Sequence, residues 1–363
     1  MIDSTHRLAA TVLMLACASV APQAAASGPP RIAVEPFVTL PADVRHPEGL
    51  AGNPANGEII VGTFDARIPE AARNNQLLRY AADGRLLARK DFGATPLTGI
   101  EVADGKVYIL NFGASKLQRI DAAFTATSQV EDLATFQALA PAAPPPRPVV
   151  NPDGSHDEVV FGSAGFPAPN GLAFDKAKNL YVSDSFQGTI YRIENATSCA
   201  PPCSVQTFLR DPLLATAGAL PFGANGLAFN AAESRLYVNN AGDSRVLRFA
   251  MPSGPLEVLA ESIPGADGLL FHQGRLWVAA NQADVVLALD ENGRTQLRAG
   301  DFLGIRADGT PRGLLFPAST AVSGPWMVVT NLALPLTPAV GDEWEEQVRR
   351  WTLVRFRIPR PTP

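Results

Sequence analysis

The sequence predicts an all-β protein, a six-bladed β-propeller whose N-terminal strand closes the last blade. Three observations predict this fold. A phrase of one oxygen-bearing residue followed by Gly-Leu recurs along the chain, and a β-rich run follows each copy. The chain also holds 30 Gly and 32 Pro, which favours many short strands over long helices. The copies are Glu48-Gly49-Leu50, Asn170-Gly171-Leu172, Asn225-Gly226-Leu227 and Asp267-Gly268-Leu269.

Residues 1–26 have the pattern of a secretory signal peptide. A weakly basic start is followed by an apolar run over 8–21 and by the small-residue cleavage pattern Ala24-Ala25-Ala26. The apolar run is shorter than the roughly 20 residues that a membrane helix needs, and we expect no transmembrane segment elsewhere. Cys17 leaves a lipoprotein as the alternative. We therefore predict an exported protein, periplasmic or secreted, with one propeller domain over residues 27–363.

Six segments align on the leading residue of the phrase, and each contains an apolar strand, a polar turn and a second strand. Third and fourth strands follow in several units, as in GTIYRIE and SVQTFLR. A period of about 40 to 70 residues with four strands per unit is typical of a propeller, because one blade must stack on its neighbours to bury both faces. The segments are EGLAGNPANGEIIVGTF, TGIEVADGKVYILNFG, NGLAFDKAKNLYVSDS, NGLAFNAAESRLYVNNAG, DGLLFHQGRLWVAANQ and the degenerate STAVSGPWMVVTNLA.

The two ends of the repeat array complement each other. The sixth unit lacks a strand after 353–359, whereas residues 31–40 precede the first unit without a partner. We expect the N-terminal strand to complete the last blade, which would remove exposed sheet edges. A β-sandwich of similar strand content is the alternative, but it does not explain the recurring Gly-Leu phrase.

The number and spacing of the cysteines are consistent with export. After the predicted signal the chain holds two, Cys199 and Cys203. In an oxidising compartment we expect a disulfide that closes the end of a hairpin, with a redox-active or metal-binding pair as the alternative.

The leading residues of the phrase predict a metal site. If the copies are blades around an axis, the side chains of Glu48, Asn170, Asn225 and Asp267 converge, and two carboxylates with two amide oxygens suit a hard cation such as calcium. An Asn or Asp before Gly also occurs in tight turns, so a purely structural ring is the alternative.

Other polar residues are expected near this centre. Because neighbouring strands are antiparallel, Ser183 and Asp184 should lie close to Asn170. Asn111, Asn281 and Asn331 fall at equivalent strand ends and should add to a polar ring. We expect His46, two residues before Glu48, at the surface, with a place lining the mouth of the channel as the alternative.

At these residues the chain resembles the senescence marker protein, regucalcin and gluconolactonase family, and more distantly the paraoxonases. Those proteins are six-bladed propellers with an axial divalent cation held by a Glu, two Asn and an Asp. The resemblance implies that Glu48, Asn170, Asn225 and Asp267 bind Ca²⁺, or another divalent cation such as Mn²⁺ or Zn²⁺. It also implies a hydrolase of lactones or related esters, with Asp267 as the catalytic carboxylate. Asp184, from its expected place beside Asn170, would be an alternative base or a partner that supports the ligands, and a turn residue at the strand end is the alternative.

Three differences from the family pattern weaken the case for a sugar lactone more than the case for a metal. Gly-Leu follows Glu48 where Gly-Pro is usual in gluconolactonase-like members, and no arginine is identifiable that would bind sugar hydroxyls. Thr98 occupies the blade-two position without an obvious ligand. The alternatives are a non-catalytic propeller that binds a ligand or protein around a structural cation, and a strictosidine-synthase type of lyase, which does not need the complete ligand set.

The partner is expected to be a small molecule. The net charge is −5 without a basic cluster, so the electrostatic footprint of a nucleic-acid binder is missing. Long insertions over 133–169 and 210–224 lead directly into Asn170 and Asn225 and should overhang the site. Phe166 and Phe222, near their ends, would form an apolar wall for an acyl or aromatic group. The oligomeric state is not encoded in these patterns.

Overall fold

A computed structural model describes residues 28–163, 165–218, 220–337 and 340–360. The predicted signal peptide over 1–26 lies outside these ranges. The strands of the described residues form six large sheets and two small hairpins. No helix among these residues is long and apolar enough to cross a membrane.

The first half of the chain contains two N-terminal strands, three blades and one hairpin. The N-terminal strands are β1 (Arg31–Ile32) and β2 (Glu35–Thr39). Blade 1 consists of β3 (Pro47–Gly52), β4 (Ile59–Thr63), β5 (Asn75–Tyr80) and β6 (Leu86–Gly93). Blade 2 consists of β7 (Leu97–Ala103), β8 (Lys106–Asn111), β9 (Lys116–Asp121) and β10 (Glu131–Thr135). A hairpin of β11 (Arg147–Val150) and β12 (His156–Val159) precedes blade 3, which consists of β13 (Pro169–Phe174), β14 (Leu180–Asp184), β15 (Thr189–Ile193) and β16 (Gln206–Arg210).

The second half contains three further blades. Blade 4 consists of β17 (Ala224–Phe229), β18 (Arg235–Asn240), β19 (Arg245–Ala250) and β20 (Leu256–Ala260). Blade 5 consists of β21 (Ala266–His272), β22 (Arg275–Ala280), β23 (Val285–Leu289) and β24 (Thr295–Ala299). A hairpin of β25 (Phe302–Ile305) and β26 (Pro311–Gly313) leads to blade 6, with β27 (Pro317–Ser323), β28 (Trp326–Asn331) and β29 (Thr352–Arg357). Short 3-10 helices occupy Glu70–Ala72, Phe112–Ala114, Pro212–Leu214, Asn281–Ala283 and Trp344–Gln347.

The first strands of the six blades form the innermost ring. Each contacts the first strand of the next blade, and β27 contacts β3, so the ring is closed. The predicted six-bladed propeller is confirmed.

The N-terminal residues close this ring, as predicted. β2 pairs antiparallel with β29, with Glu35 opposite Arg355, and completes blade 6. β1 pairs in parallel with β24, with Arg31 opposite Arg298, and adds a fifth strand to blade 5. The sequence did not predict this second pairing, because a two-residue strand is too short to show alternation.

The core lies between adjacent blades. One apolar cluster joins Leu50 and Val61 of blade 1 to Val328 and Leu353 of blade 6. Another joins blades 2 and 3 and includes Cys203. Cys199 and Cys203 form the expected disulfide in the β15–β16 connection, with a Cα–Cα distance of 5.7 Å. The Cys203 amide donates to the Leu133 carbonyl of blade 2 at 2.7 Å, which ties this loop to its neighbour.

Candidate metal centre

The four predicted ligands occupy equivalent places in four blades. Glu48, Asn170, Asn225 and Asp267 are each the second residue of a first strand. All four line one cavity on the axis. They are between 5% and 7% exposed, so the structure brings the set together in a nearly dry environment.

A β-bulge sets the direction of each side chain. In β13 the pairing with β14 passes from Pro169–Asp184 to Leu172–Val182, so Asn170 and Gly171 lie opposite a single residue. The same shift occurs between Ala224 and Leu227. Because a bulge re-aims the side chain at its position, these residues can point along the axis, out of the regular alternation. Corresponding shifts occur in the first strands of the other four blades.

The glycine of the phrase allows adjacent blades to approach closely. A Cβ on Gly171 would clash with the Asn225 carbonyl oxygen, and one on Gly226 would clash with backbone atoms of Leu269 and Asp267. The recurring Gly therefore follows from backbone contact around the ring. The two residues of the phrase therefore have different roles. The glycine allows close packing of adjacent blades, and the residue before it faces the cavity.

Polar side chains of one blade hold the ligand-bearing backbone of the next. Ser183 Oγ donates to the Asn225 carbonyl at 2.6 Å and accepts from the Gly171 amide at 2.8 Å. Asn239 Nδ2 donates to the Asp267 carbonyl at 2.8 Å. These contacts fix the positions of ligands on two blades.

Two carboxylates share this centre. Burial and the nearby Asp267 carboxylate raise the pKa of Glu48 well above its ordinary value. Burial also raises the pKa of Asp267, while hydrogen bonds from Asn281 and Asn225 oppose the shift. Asn281 Nδ2 lies 3.1 Å from Asp267 Oδ2. No Arg, Lys or His lines the cavity within the described ranges, so the protein itself supplies no positive charge there.

The donor chemistry fits a hard divalent cation. Glu48 Oε2 is buried and has no hydrogen-bond partner among the described residues. Buried carboxylates without a counter-charge are unfavourable, and a cation ligated by them would remove this cost. The described residues contain no group of three or more His, Cys, Asp or Glu side chains placed for a metal. Binding at this centre would therefore depend on the Asn170 and Asn225 amide oxygens as well as the two carboxylates.

Asp184 lies behind the centre and does not line the cavity. It is fully buried. Its Oδ1 accepts from the backbone amides of Ala168, Phe186 and Gln187 at 3.0 to 3.1 Å. Its Oδ2 accepts from Gln187 Nε2 at 2.8 Å and from the Tyr191 hydroxyl at 3.2 Å. These bonds hold together the loop that flanks the site.

The ring of expected asparagines is only partly realised. Asn281 lines the cavity and contacts Asp267. Asn111 instead accepts from the Ala114 amide within its own blade, and Asn331 accepts from the Leu315 amide in the connection that precedes β27. Thr98 does line the cavity, and its hydroxyl donates to the Pro169 carbonyl at 2.8 Å.

The expectation for His46 was wrong. Its side chain is 4% exposed, its Nδ1 lies 3.0 Å from the Leu332 carbonyl, and its ring packs against Trp351 at 4.7 Å. Burial lowers its pKa to about 4. Trp351 is distant in sequence, so the local pattern around His46 gave no sign of this partner.

The outer wall of the cavity is apolar. Phe222 contributes to this wall, as expected. Phe166 does not line the cavity, and its ring packs against that of Phe186 with a centroid distance of 5.3 Å. Most of the wall was not predicted, because it comes from loops with no periodic pattern. Its further members are Phe64, Leu220, Ala241, Phe316, Leu332, Leu334 and Leu336.

No protein-family model matches the sequence, and no curated protein matches it. Among solved structures, the chain is similar to a luciferin-regenerating enzyme, with a TM-score of 0.59 and 14% identity over 91% of this chain and 96% of that one. It is also similar to a calcium-binding regucalcin from Agrobacterium tumefaciens, with a TM-score of 0.58 and 15% identity over 91% and 97% of the two chains. A gluconolactonase from Xanthomonas campestris gives 0.52 and 15% over 92% and 95%. The predicted resemblance is confirmed at the level of the fold.

Proposed function

We propose that this chain is an exported, metal-dependent hydrolase of lactones or related esters, functionally related to the gluconolactonase-like propellers. One observation carries the proposal. Two buried carboxylates and two asparagines converge on the propeller axis, and no basic side chain among the described residues lines their cavity. This arrangement supports a site whose missing positive charge comes from a bound cation.

The four side chains that would hold the cation are Glu48, Asn170, Asn225 and Asp267. An all-oxygen set of this kind is typical of calcium sites, whereas zinc sites usually include nitrogen or sulfur ligands. We therefore rank Ca²⁺ above Mn²⁺ and Zn²⁺. When bound, the cation would polarise the carbonyl of the substrate and stabilise negative charge on its oxygen.

Asp267 is the residue to which we assign the proton transfer. Its carboxylate takes a proton from the attacking water, while Asn281 Nδ2, 3.1 Å from Oδ2, holds its orientation. Glu48 serves as a ligand. Asp184 does not reach the cavity in its present position, and its five hydrogen bonds support a positioning role for the loop around Phe186.

The first experiment is hydrolysis of aldonolactones, aliphatic lactones and aryl esters by the purified mature protein. It is run before chelation, after chelation, and after adding back calcium, manganese or zinc. We expect activity that disappears on chelation and returns with one of these ions. If no compound is hydrolysed while chelation still lowers the melting temperature, the chain is a binding propeller with a structural cation.

Isosteric variants test the ligand set. Glu48→Gln and Asp267→Asn each remove one negative charge with little change in volume. We expect each to weaken calcium binding, measured by calorimetry, beyond the 10- to 100-fold that loss of an outer partner costs, and to abolish hydrolysis. Thr98→Val is the matched control, because Thr98 lines the same cavity outside the proposed set. Wild-type metal affinity in the first two variants would contradict the assignment.

Export is the remaining part of the proposal. It is supported by the signal-like pattern of residues 1–26 and by the Cys199–Cys203 disulfide, since disulfides persist in oxidising compartments. Cell fractionation with N-terminal sequencing tests it. A mature chain beginning after Ala26 in the periplasm or medium is expected, and a lipid on Cys17 would indicate the lipoprotein alternative. An uncleaved cytoplasmic chain would contradict export.

A further inference from the structure

Five aromatic rings form a continuous group above the candidate metal centre. We call this group the phenylalanine cluster. Phe112 is at its middle, 5.2 Å from Phe64, 6.1 Å from Phe166, 6.0 Å from Phe186 and 6.3 Å from Phe222 between ring centroids. Phe186 further contacts Phe166 at 5.3 Å and stacks on Phe222 at 5.6 Å. Rings from four blades or their flanking loops therefore meet on one side of the axis.

The cluster is continuous with the cavity that holds the carboxylates. Phe64 and Phe222 belong to both, and they line the cavity together with Glu48 and Asp267. The remaining apolar wall comes from leucines, Ala241 and Phe316. A molecule whose carbonyl lies at the carboxylates would thus place its other atoms against aromatic and aliphatic side chains.

Apart from the four proposed ligands, the cavity offers two polar side chains among the described residues. Thr98 Oγ1 already donates to the Pro169 carbonyl. Asn281 Nδ2 donates to Asp267, and its Oδ1 lies against Gly265 as one buried acceptor without a hydrogen-bond partner among the described residues. A substrate with several hydroxyl groups would find few partners here, and each unpaired hydroxyl weakens binding.

The edge of this apolar region reaches solvent. Phe166 is 46% exposed and Leu336 is 42% exposed. The cavity itself measures about 40 Å³, so a group larger than a few atoms enters only if side chains of the wall move. Phe222 and Leu336 lie on connections between strands, where such movement costs least.

We propose that the substrate carries an alkyl or aryl group that packs on the phenylalanine cluster, and that the site selects against polyhydroxylated lactones. This inference rests on the hydrolysis proposed above and names its substrate class. The reacting carbonyl lies at the metal centre, and the apolar group extends along Phe222 toward Phe166. The Gly-Leu after Glu48, where gluconolactonase-like members usually have Gly-Pro, is consistent with this selectivity. The inference itself depends on the lining of the cavity.

The first test compares two six-membered lactones with the calcium-loaded protein, an alkyl-substituted δ-valerolactone and glucono-δ-lactone. A hydrophobic pocket discriminates against a single added hydroxyl group by about 100-fold, and glucono-δ-lactone carries several. We expect at least this ratio of kcat/KM in favour of the alkyl lactone. Equal values, or preference for the sugar lactone, would overturn the inference and leave the hydrolase proposal standing.

A matched pair of variants locates the selectivity. Phe222→Ala removes a ring of the cluster, and Phe208→Ala removes another partly buried ring that packs on Tyr181 and Phe249 outside the cavity. We expect Phe222→Ala to raise KM for the alkyl lactone about tenfold or more with unchanged calcium affinity, and Phe208→Ala to leave KM unchanged. Equal effects of both variants would overturn the inference.

Binding gives a readout that does not depend on hydrolysis. Calorimetry with an alkyl-substituted δ-valerolactam and with gluconolactam, both in calcium, measures the affinity of unreactive analogues. Tighter binding of the alkyl lactam, lost in Phe222→Ala, supports an apolar site even if no lactone is hydrolysed, in which case the hydrolase proposal alone fails. Tighter binding of gluconolactam overturns the apolar assignment.

Discussion

At the residue scale, the candidate centre depends on side chains that never face it. Ser183 is fully buried and joins two blades through one hydroxyl, which accepts from the Gly171 amide and donates to the Asn225 carbonyl. Of the two residues that this hydroxyl contacts, Asn225 is a proposed ligand and Gly171 follows the proposed ligand Asn170. A single hydroxyl thus determines the relative position of two ligand-bearing strands.

We therefore predict that Ser183→Ala weakens both stability and metal binding. It leaves a buried amide and a buried carbonyl without this partner, which costs about 1 to 3 kcal/mol of unfolding free energy. Calcium affinity should fall about 10- to 100-fold, as for other outer-partner losses. Urea denaturation and calorimetry measure the two effects. Ser198→Ala, at an exposed hydroxyl bonded to the Asn195 carbonyl, is the control, and equal behaviour of the two variants would contradict the prediction.

Glu101 gives a pH-dependent prediction outside the proposed ligand set. It lines a second, larger cavity among the first strands of the blades, and burial raises its pKa from 4.5 to about 7. Between these values the folded chain holds a proton that the unfolded chain has released, so Glu101 destabilises the protein as pH rises through this window. The full shift corresponds to about 3 kcal/mol. Because Glu101 is only partly buried, we expect about 1 kcal/mol.

Glu101→Gln removes this ionisation. We expect the variant to be more stable than the parent at pH 8 and equally stable at pH 4, as measured by urea denaturation at both values. Glu70→Gln changes an exposed carboxyl and should show no such difference. A stabilisation of Glu101→Gln that is the same at both pH values would contradict the assigned cause.

At the element scale, the repeated unit is a bulged first strand. The bulge turns the leading residue toward the axis, and the following glycine lets the next blade approach. Both features occur where the chain repeats oxygen-bearing residue, Gly and Leu. The glycine of the phrase therefore accounts for the spacing of two blades, whereas the bulge also occurs in β7 and β27, where the phrase is incomplete.

Gly226→Ala tests the packing part of the phrase. Its Cβ would clash with the backbone of Leu269 and Asp267, which cannot move aside as a flexible side chain would. We expect a loss of about 2 to 4 kcal/mol of unfolding free energy, in the upper range for single substitutions. Thermal and urea denaturation measure it. Gly162→Ala is the control, because no atom lies within 4 Å of its added Cβ. A neutral Gly226→Ala would contradict the proposed backbone contact.

Much of the element pattern could be predicted from the sequence, because the blades repeat a local signal. The two strands of EGLAGNPANGEIIVGTF, and the fourth strands near 206–210 and 256–260, lie where alternation and turns predicted them. The β1–β24 pairing, the β25–β26 hairpin and the leucines over the site were not predictable. They are set by contacts between segments distant in sequence. Such contacts produce no periodic pattern of apolar residues within a short stretch of sequence.

At the scale of the whole molecule, the propeller is a ring joined by the antiparallel β2–β29 pair. Val38 and Leu40 of the N-terminal segment are 7% and 1% exposed and belong to the core between blades 6 and 1. Arg355 Nε also donates to Glu35 Oε1 at 2.8 Å across this junction. Ring closure therefore depends on the backbone hydrogen bonds between β2 and β29 and on the burial of Val38 and Leu40.

We predict that deletion of residues 28–40 opens the ring. Blade 6 would lose its outer strand and expose the edge of β29, so we expect loss of cooperative thermal unfolding and association of the protein. Circular dichroism and size-exclusion chromatography measure these effects. Deletion of 28–34 removes β1 alone and is the control. We expect it to lower the melting temperature by a few degrees and to leave the elution volume the same as that of the parent protein. Cooperative unfolding after the longer deletion would contradict the role of β2.

The β2–β29 pair also has a consequence for the order of folding. Glu35 and Arg355 are 320 positions apart, so during synthesis the first strand of this pair emerges long before its partner exists. Blades 1 to 5 can form as the chain lengthens, but the ring cannot close until the last strand is available. Contacts of such long sequence separation slow folding, and during the delay the unpaired strands can pair with other chains. Slow ring closure is compatible with the export proposed above, in which the chain would cross a membrane before it folds.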